Sequence, residues 1–196
     1  MKTYSLILDS SNKNLMVALA IDGKLVEYVC YEAWQRQSEL MIPEIENVLK
    51  KQNIKPKDIN EILVTKGPGS YTGLRIALTI AKIYGTTLGT KVYAFSALKA
   101  QSKRDVHSIC LINARSGRSY FGVYLNNEII EEDCVLTNQE ILDYIQMHQD
   151  YVVCGDTEYL NLEGYVGNMA ERLLELKNEE DEVENILALK AVYLKD

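Results

Sequence analysis

The sequence lacks any long apolar run, and this absence excludes a membrane-spanning helix. No hydrophobic stretch approaches the ~20 consecutive apolar residues that such a helix needs. The apolar segment after Met1 ends at Asp9, too early for the core of a secretory signal peptide. The four cysteines are scattered without a C-x-x-C pair, which predicts buried, reduced thiols and no disulfide framework. We therefore expect a soluble, cytoplasmic protein with no membrane contact.

The usual catalytic and metal-binding motifs are also missing. The two histidines, His107 and His148, lie too far apart for a helical H-x-x-x-H or H-E-x-x-H metal site, so we expect structural or solvent-facing roles. No G-x-S-x-G nucleophile elbow and no Cys–His arrangement is present. We therefore expect neither a bound metal nor a catalytic residue.

Length and composition favour a globular protein with a real core. The chain has 196 residues, 47% of them hydrophobic, and a net charge of −7. This size fits one large domain or two small ones.

Acidic residues are absent from a long central stretch. Residues 62–104 contain seven Lys or Arg and no Asp or Glu, whereas residues 171–184 contain seven acids and two bases. The basic stretch indicates either contact with an anion or nucleic acid, or solvated lysines at helical spacing. Because the whole chain is acidic, we do not expect it to hold RNA tightly by itself.

The first third of the chain has the pattern of a β-meander followed by a helix and a strand. The predicted strands are Tyr4–Asp9, Asn14–Ile21, Lys24–Cys30 and Glu61–Thr65, and the helices are Ser38–Lys50 and Leu74–Gly85. Asp22-Gly23 predicts a hairpin turn, and Ser38 is the expected cap of the first helix.

The same order of elements recurs after residue 106. At a constant offset of 104 residues, Ile109–Asn113 corresponds to Ser5–Asp9 and Tyr120–Leu125 to Met16–Ile21. A capping box at Thr137 and Glu140 opens a helix through about Met147, followed by a strand at Tyr151–Cys154. Two facing α/β units would enclose a cleft between their first hairpin turns, Asp9–Lys13 and Asn113–Arg118.

A glycine-rich loop joins a predicted strand to a predicted helix, so its backbone N–H groups can face an anion. It reads Gly67-Pro68-Gly69-Ser70-Tyr71-Thr72-Gly73-Leu74-Arg75. It is neither a Walker A loop nor a dinucleotide-binding fingerprint. Its candidate nucleotide or anion contacts are Asp9, Ser10, Gly67, Gly69, Ser70, Thr72, Gly73 and Arg75; the alternative is a purely structural turn.

This loop resembles the TsaB (YeaZ) family. The resemblance extends to Leu8-Asp9-Ser10-Ser11, Asn113-Ala114-Arg115 and Val192-Tyr193-Leu194-Lys195, with Asn113 standing where family members usually carry Asp. It implies an α/β fold of duplicated actin-like (ribonuclease H-like) units, each a mixed sheet opening with a three-stranded β-meander and flanked by helices.

The resemblance also implies a function. TsaB-type proteins are relatives of TsaD and pair with it, with the ATPase TsaE, in bacterial synthesis of threonylcarbamoyladenosine next to the anticodon of tRNA. It implies a catalytically degenerate scaffold that contacts tRNA only within the complex and forms a homodimer when the partner is absent. The metal-binding H-x-x-x-H of TsaD corresponds here to residues 94–100, which hold no usual metal ligand.

Residue patterns leave alternatives open. Asp9 stands where related ATPases place a carboxylate that orients a metal, but it can equally cap its own turn. A stand-alone actin-like ATPase or kinase is therefore the second interpretation, and a glycoprotease-like metallopeptidase is the third. For the scaffold we expect no cofactor, with a nucleotide in the degenerate cleft or at the partner interface as the open alternative.

Small residues recur every four positions on the second helix, which permits close approach of another helix or packing on the chain's own sheet. The family resemblance favours a partner interface, with Met41, Ile45, Ala77, Ala81 and Gly85 as its residues. We expect a first subdomain at 1–103, a second at 104–182, and a C-terminal helix at about 183–196 that packs back on the first.

Overall fold

The computed structural model describes residues 2–33, 35–177 and 182–194. Two mixed β-sheets, each with helices, follow one another along the chain. The first unit contains β1 (Tyr4–Asp9), β2 (Asn14–Ile21), β3 (Lys24–Glu32), α1 (Gln37–Lys51), β4 (Glu61–Gly67), α2 (Tyr71–Ile83) and β5 (Lys91–Ser96). The second contains β6 (His107–Arg115), β7 (Arg118–Leu125), β8 (Glu128–Thr137), α3 (Asn138–Met147) and β9 (Val152–Gly155), and α4 (Met169–Leu176) follows it.

Both sheets share one strand order. The first is β3-β2-β1-β4-β5 and the second is β8-β7-β6-β9, with antiparallel meanders and a parallel fourth strand beside the first. Each unit therefore runs strand, strand, strand, helix, strand. The expected architecture of two related α/β units is confirmed.

The first sheet is buried on both faces. Leu15, Val17 and Leu19 of β2 pack on the side of α1 and α2, whereas Met16 and the alanines between them face the opposite side. α4 covers this opposite side through Ala170, Leu173 and Leu176. The segment that the sequence assigned to the second subdomain thus packs on the first unit.

The helix boundaries differ slightly from the predictions. α1 begins at Gln37 after Arg36, so the predicted cap Ser38 lies inside the helix. α2 begins three residues early, since the Ser70 hydroxyl accepts the Gly73 N–H (3.3 Å) and caps it. α2 continues as a π-helical turn over Tyr84–Leu88 and stops at Gly89, whose φ is +69°. The capping box at Thr137 and Glu140 is present as predicted.

The constant offset of 104 is wrong for β6. Leu8 lies on the face covered by α1 and α2 and pairs with Val17. Leu111 lies on the face covered by α3 and pairs with Phe121, so the offset is 103 in the first strand and 104 in the second. A one-residue slip exchanges the two faces of a strand, and burial against the helix therefore selects this register.

The expected C-terminal helix at 183–196 is also wrong for the described residues 183–194. This segment is extended apart from a short 3₁₀ turn at Ile186–Ala188. Val183 N–H donates to the Val92 carbonyl at the edge of β5 (2.8 Å), and Val192 N–H donates to the Lys66 carbonyl (2.6 Å). We call residues 182–194 the C-terminal strap, because they cross the first unit from β5 to the glycine loop.

The cysteines are free, but their burial differs. Cys110 and Cys154 are buried, Cys134 is partly buried and Cys30 is exposed, so the expectation of buried thiols is wrong for Cys30. Within the described residues, no helix combines the length and the apolar content required to cross a membrane.

Candidate functional site

A cleft of about 860 Å³ opens between the first sheet and the segment that follows β9. The β1–β2 turn contributes Asp9, Asn12 and Lys13, and β3 contributes Tyr28, Cys30 and Glu32. The opposite wall is formed by residues 155–158 and 162–169, and α4 adds Glu171, Arg172 and Glu175. The second hairpin turn, Asn113–Arg118, does not line the cleft, so its predicted place there is wrong.

Asp9 lies at the floor of this cleft and is only 1% exposed. Its Oδ1 accepts the hydroxyl proton of Thr65 (2.5 Å) and the Ser11 N–H (3.2 Å). Burial raises the pKa of Asp9, and the hydrogen bonds from Thr65 and Ser11 oppose that effect. The carboxylate thus joins the ends of β1 and β4, which agrees with the turn-capping alternative.

Asp156 is a further carboxylate of the cleft, which the sequence reasoning missed. Pairing of β9 with β6 puts Asp156 in the position that Thr65 occupies beside β1. Burial raises the pKa of Asp156, and a backbone hydrogen bond from Asn113 opposes that effect. The second unit therefore supplies this acid from the residue that follows its fourth strand, β9. A register derived from pairing, rather than from a constant offset, would have found it.

The basic residues of the cleft are already engaged. Lys13 Nζ lies 3.2 Å from Glu158 and 3.9 Å from Glu32, and Arg104 lies 3.9 Å from Glu175. The third, Arg172, is buried and bonds to Ser102 and Glu175. Seven acids and three bases line the cleft among the described residues. Its field is therefore negative, which disfavours a polyphosphate.

The glycine loop packs against the chain's own β1–β2 turn. The Ser70 N–H donates to the Ser11 carbonyl (2.6 Å), and the Ser10 hydroxyl donates to the Gly73 carbonyl (2.7 Å). A Cβ at Gly69 or Gly73 would fall inside the contact distance of the Ser11 or Ser10 carbonyl oxygen. A Cβ at Gly67 would lie 2.5 Å from the carbonyl oxygen of Val192 in the strap. These glycines therefore permit close packing of backbone on backbone.

The predicted site residues are divided between two places. Asp9 lines the cleft, whereas Ser10, Gly67, Gly69, Ser70, Thr72, Gly73 and Arg75 do not. Arg75 instead lies over the Tyr71 ring and bonds to the Tyr193 hydroxyl.

The prediction of the partner interface is wrong, because its residues do not lie on the surface. Met41, Ile45, Ala77 and Ala81 are buried in the core of the first unit, where they pack between the helices and the sheet. A Cβ on Gly85 would lie 2.6 Å from Ile186 of the strap. The small residues therefore permit close packing within the chain, which was the alternative left open by their spacing.

Neither histidine faces the cleft. His107 stacks on Tyr151 with 4.4 Å between ring centroids, and His148 stacks on Tyr144 at 4.1 Å. In the part of the chain that the structure describes, no three His, Cys, Asp or Glu side chains are grouped to hold a metal ion.

Comparison with known proteins identifies the family. The family model described as "TsaD: tRNA N6-adenosine threonylcarbamoyltransferase" matches residues 29–162. A Bacillus subtilis protein named "tRNA threonylcarbamoyladenosine biosynthesis protein TsaB" is 32% identical over 148 residues, covering 72% of this chain and 64% of that relative. The chain belongs to the TsaB/YeaZ family. The chain spans less than two thirds of the length of that Bacillus relative.

Other matches cover the chain more fully. A Mycoplasma genitalium protein called "Uncharacterized protein MG208" is 27% identical over 98% of this chain and 95% of its own length. The solved structure "YeaZ from Pseudomonas aeruginosa" superposes with a TM-score of 0.80 at 20% identity, covering 98% of this chain and 100% of that chain. This superposition shows that the chain has the duplicated actin-like fold of the YeaZ structures.

Proposed function

We propose that this protein is a non-catalytic partner subunit in the bacterial formation of threonylcarbamoyladenosine on tRNA. It supports a TsaD-type subunit that transfers the threonylcarbamoyl group to the adenosine 3′-adjacent to the anticodon in tRNAs reading codons that start with A. A TsaE-type ATPase acts on the pair, in the cytoplasm. Within this proposal, tRNA modification is the process, and the chain's own contribution is to bind and position the partner.

The names of the matched family and of the Bacillus relative support the choice of process. The main support for the non-catalytic role is that N–H groups of the glycine loop form hydrogen bonds within the chain. The Ser70 N–H is bonded to the Ser11 carbonyl and the Gly73 N–H to the Ser70 hydroxyl, so these donors are engaged within the chain. A phosphate-binding loop needs such donors directed at its ligand.

The composition of the cleft supports the same role. Phosphoryl transfer depends on positioned cations and metal ions that neutralise the developing charge. Here Lys13 and Arg104 already pair with cleft acids, and Asp9 is held by Thr65. We infer that the cleft is a remnant of the fold and has no catalytic role.

The exposed face of α1 is the proposed contact with the TsaD-type partner. Ile42 is 47% exposed on this face, beside the exposed Pro43. An apolar pair on an outward helical surface gains free energy when a partner covers it.

Co-expression with the TsaD-type protein of the same bacterium tests the proposal. We expect a stable complex, and loss of threonylcarbamoyladenosine from total tRNA, measured by nucleoside mass spectrometry, when the gene is removed. Ile42→Asp should weaken association at least tenfold. Leu142→Asp, on an exposed apolar residue of α3, is the matched control and should not weaken it. Normal tRNA modification in the deletion strain would exclude the proposal.

An ATPase or kinase remains the second candidate because Asp9 and Asp156 supply carboxylates from both walls of the cleft. Mg²⁺-dependent ATP hydrolysis by the purified chain that both Asp9→Asn and Asp156→Asn abolish would establish this activity. It would also overturn the non-catalytic role. The partner-subunit proposal expects no turnover above the level of these variants.

A further inference from the structure

A second concave surface lies between α2 and the C-terminal strap. This groove has a volume of about 400 Å³ and an apolar floor of Leu78, Leu189 and Ala191. Its rim is formed by Arg75, Thr79, Lys82, Lys190 and Tyr193. It is separate from the cleft, with which it shares no lining residue among those described.

The groove is cationic. Arg75, Lys82 and Lys190 line it and no acid does, and none of the three forms an ion pair with an acid among the described residues. Other bases of the acid-free stretch are neutralised, for example Lys91 by Glu182 (2.9 Å) and Arg104 by Asp105 (3.8 Å). Two of the seven bases of residues 62–104, Arg75 and Lys82, therefore meet Lys190 at this groove without an acidic partner among the described residues.

Tyr193 lines one end of the groove, and Tyr71 lies next to Tyr193 just outside it. Tyr71 is 55% exposed and Tyr193 is 42% exposed, with 5.1 Å between their ring centroids. The Arg75 guanidinium carbon lies 3.9 Å from the Tyr71 centroid, and its Nε donates to the Tyr193 hydroxyl (3.2 Å). Exposed aromatic rings beside unpaired cations are the combination that binds single-stranded nucleic acid, through stacking and phosphate contact.

We propose that this groove binds single-stranded RNA, with phosphates on Arg75, Lys82 and Lys190 and a base stacked on the tyrosines. The spacing of the cations favours a strand over a free nucleotide. Arg75 and Lys82 are two helical turns apart on α2, about 10 Å along the axis. Long, flexible side chains at that separation can reach two separate backbone phosphates of a strand, whereas the phosphates of one nucleotide are clustered. The negative cleft and the net charge of −7 restrict RNA to this face.

The proposal rests on the proposed function only for tRNA as the natural source of the strand. Binding by this chain alone is weak and depends on salt, because three phosphate contacts give a logarithmic salt slope of about −2 on single strands. Affinity should therefore fall roughly twentyfold between 50 and 200 mM salt.

The competing explanation is that these cations only fasten the strap. Arg75 bonds to Tyr193, and Lys82 Nζ donates to the Leu187 carbonyl (3.2 Å). Fastening alone predicts that neutral replacements lower the melting temperature and leave RNA binding unchanged. RNA binding by the groove predicts that the same replacements weaken RNA binding and leave the melting temperature unchanged.

Fluorescence anisotropy of a labelled 12-nucleotide mixed-sequence RNA with the full chain tests the proposal. We expect the triple variant Arg75→Gln, Lys82→Gln, Lys190→Gln to bind at least tenfold more weakly and to lose most of the salt slope. Tyr193→Leu should weaken binding about threefold or more without changing the slope. The triple variant Lys50→Gln, Lys55→Gln, Lys57→Gln removes three exposed lysines elsewhere and should bind like the parent chain.

Several outcomes would overturn the proposal. Equal loss in both triple variants would mean non-specific attraction, and competition by ADP or inorganic phosphate as effective as by RNA would mean a small phosphate ligand. Equal affinity for duplex RNA would remove the stacking role. Association with the TsaD-type partner is measured in parallel, so a groove variant that binds the partner but not RNA separates this proposal from the proposed function.

Discussion

At the scale of single residues, the contacts of the glycine loop and of Asp9 explain their structural roles. Gly73 has an ordinary helical conformation, yet the Ser10 carbonyl occupies the place of a side chain. Asp9 is a buried acid whose hydrogen bonds come from Thr65 and Ser11. Both residues hold the β1–β2 turn against its neighbours, and each leads to a test.

Gly73→Ala should destabilise the protein. Alanine normally stabilises a helix relative to glycine by up to ~1 kcal/mol. Here the added methyl group would overlap the Ser10 carbonyl, and forced overpacking typically costs ~1–3 kcal/mol. Urea denaturation measures the change. The adjacent exposed position supplies the control, because Thr72→Ala should leave stability equal or slightly higher. A more stable Gly73→Ala protein would show that the loop does not pack on the turn.

Asp9→Asn should be at least as stable as the parent chain at pH 7. Because burial raises the pKa of Asp9 in the folded state, the folded chain binds the proton more tightly than the unfolded chain. Stability therefore falls as pH rises from the unfolded pKa, near 3.8, through the raised one. The asparagine resembles the protonated form, so the two proteins should converge as the pH is lowered.

Denaturation at a series of pH values measures this convergence. Asp150→Asn, at an exposed site, is the control and should follow the parent chain throughout. A loss of stability in Asp9→Asn that grows towards neutral pH would show that the ionised carboxylate is needed.

At the scale of elements, α2 has two faces with different tasks. Its inner face, with Leu74, Ala77 and Ala81, packs on the first sheet, whereas its outer face carries Arg75 and Thr79 into the cationic groove. The strap closes one side of this face. The helix thus serves the fold through its small residues and offers only the outer face to a ligand.

Ala81→Glu should unfold the chain. Ala81 is 0% exposed in the core of the first unit, and an unpaired carboxylate there must be desolvated at a cost of several kcal/mol. Thermal melting followed by circular dichroism is the measurement. Thr79→Glu on the exposed face of the same helix should melt within a few degrees of the parent chain. A folded Ala81→Glu protein with impaired partner binding would restore the inner face as an interface.

At the scale of the whole molecule, α4 connects the two units. It packs on the first sheet, while its Arg172 donates to the Ser102 hydroxyl (3.2 Å), to the Asn126 carbonyl and to the Asn127 side chain (3.0 Å). Asn126 and Asn127 form the turn between β7 and β8 of the second unit. Arg172 is 8% exposed. Glu175, 3.1 Å away, compensates its charge, and its other N–H groups depend on these neutral partners.

Arg172→Met should lower the free energy of unfolding by ~2–4 kcal/mol, because it leaves buried polar groups without their donor. Urea denaturation checks this value. Arg104→Met provides the comparison, since Arg104 is an exposed cation near the same Glu175 and exposed pairs contribute at most ~1 kcal/mol. Similar losses in both variants would mean that Arg172 does not connect the units.

Much of the fold was predictable because its signals are local. Alternating apolar residues and the Asp22-Gly23 turn specify the opening meander, and the capping box at Thr137 specifies the start of α3. These patterns act between residues a few positions apart, where chain geometry alone brings the groups together. The family resemblance also rests on a local feature, the nine consecutive residues of the glycine loop.

The sequence by itself determined most elements of the two units and their order, but it predicted a helix where the C-terminal strap is extended and the wrong face for β6. Only the tertiary structure decided what covers the apolar sides of these elements: the sheet and strap over α2, and α3 over the slipped register of β6. It likewise decided that Asp156 enters the cleft and that Arg75, Lys82 and Lys190 share a groove. The physical reason is that periodicity specifies a face but not its partner, since burial is non-directional and is satisfied by any apolar surface that the rest of the chain can bring there.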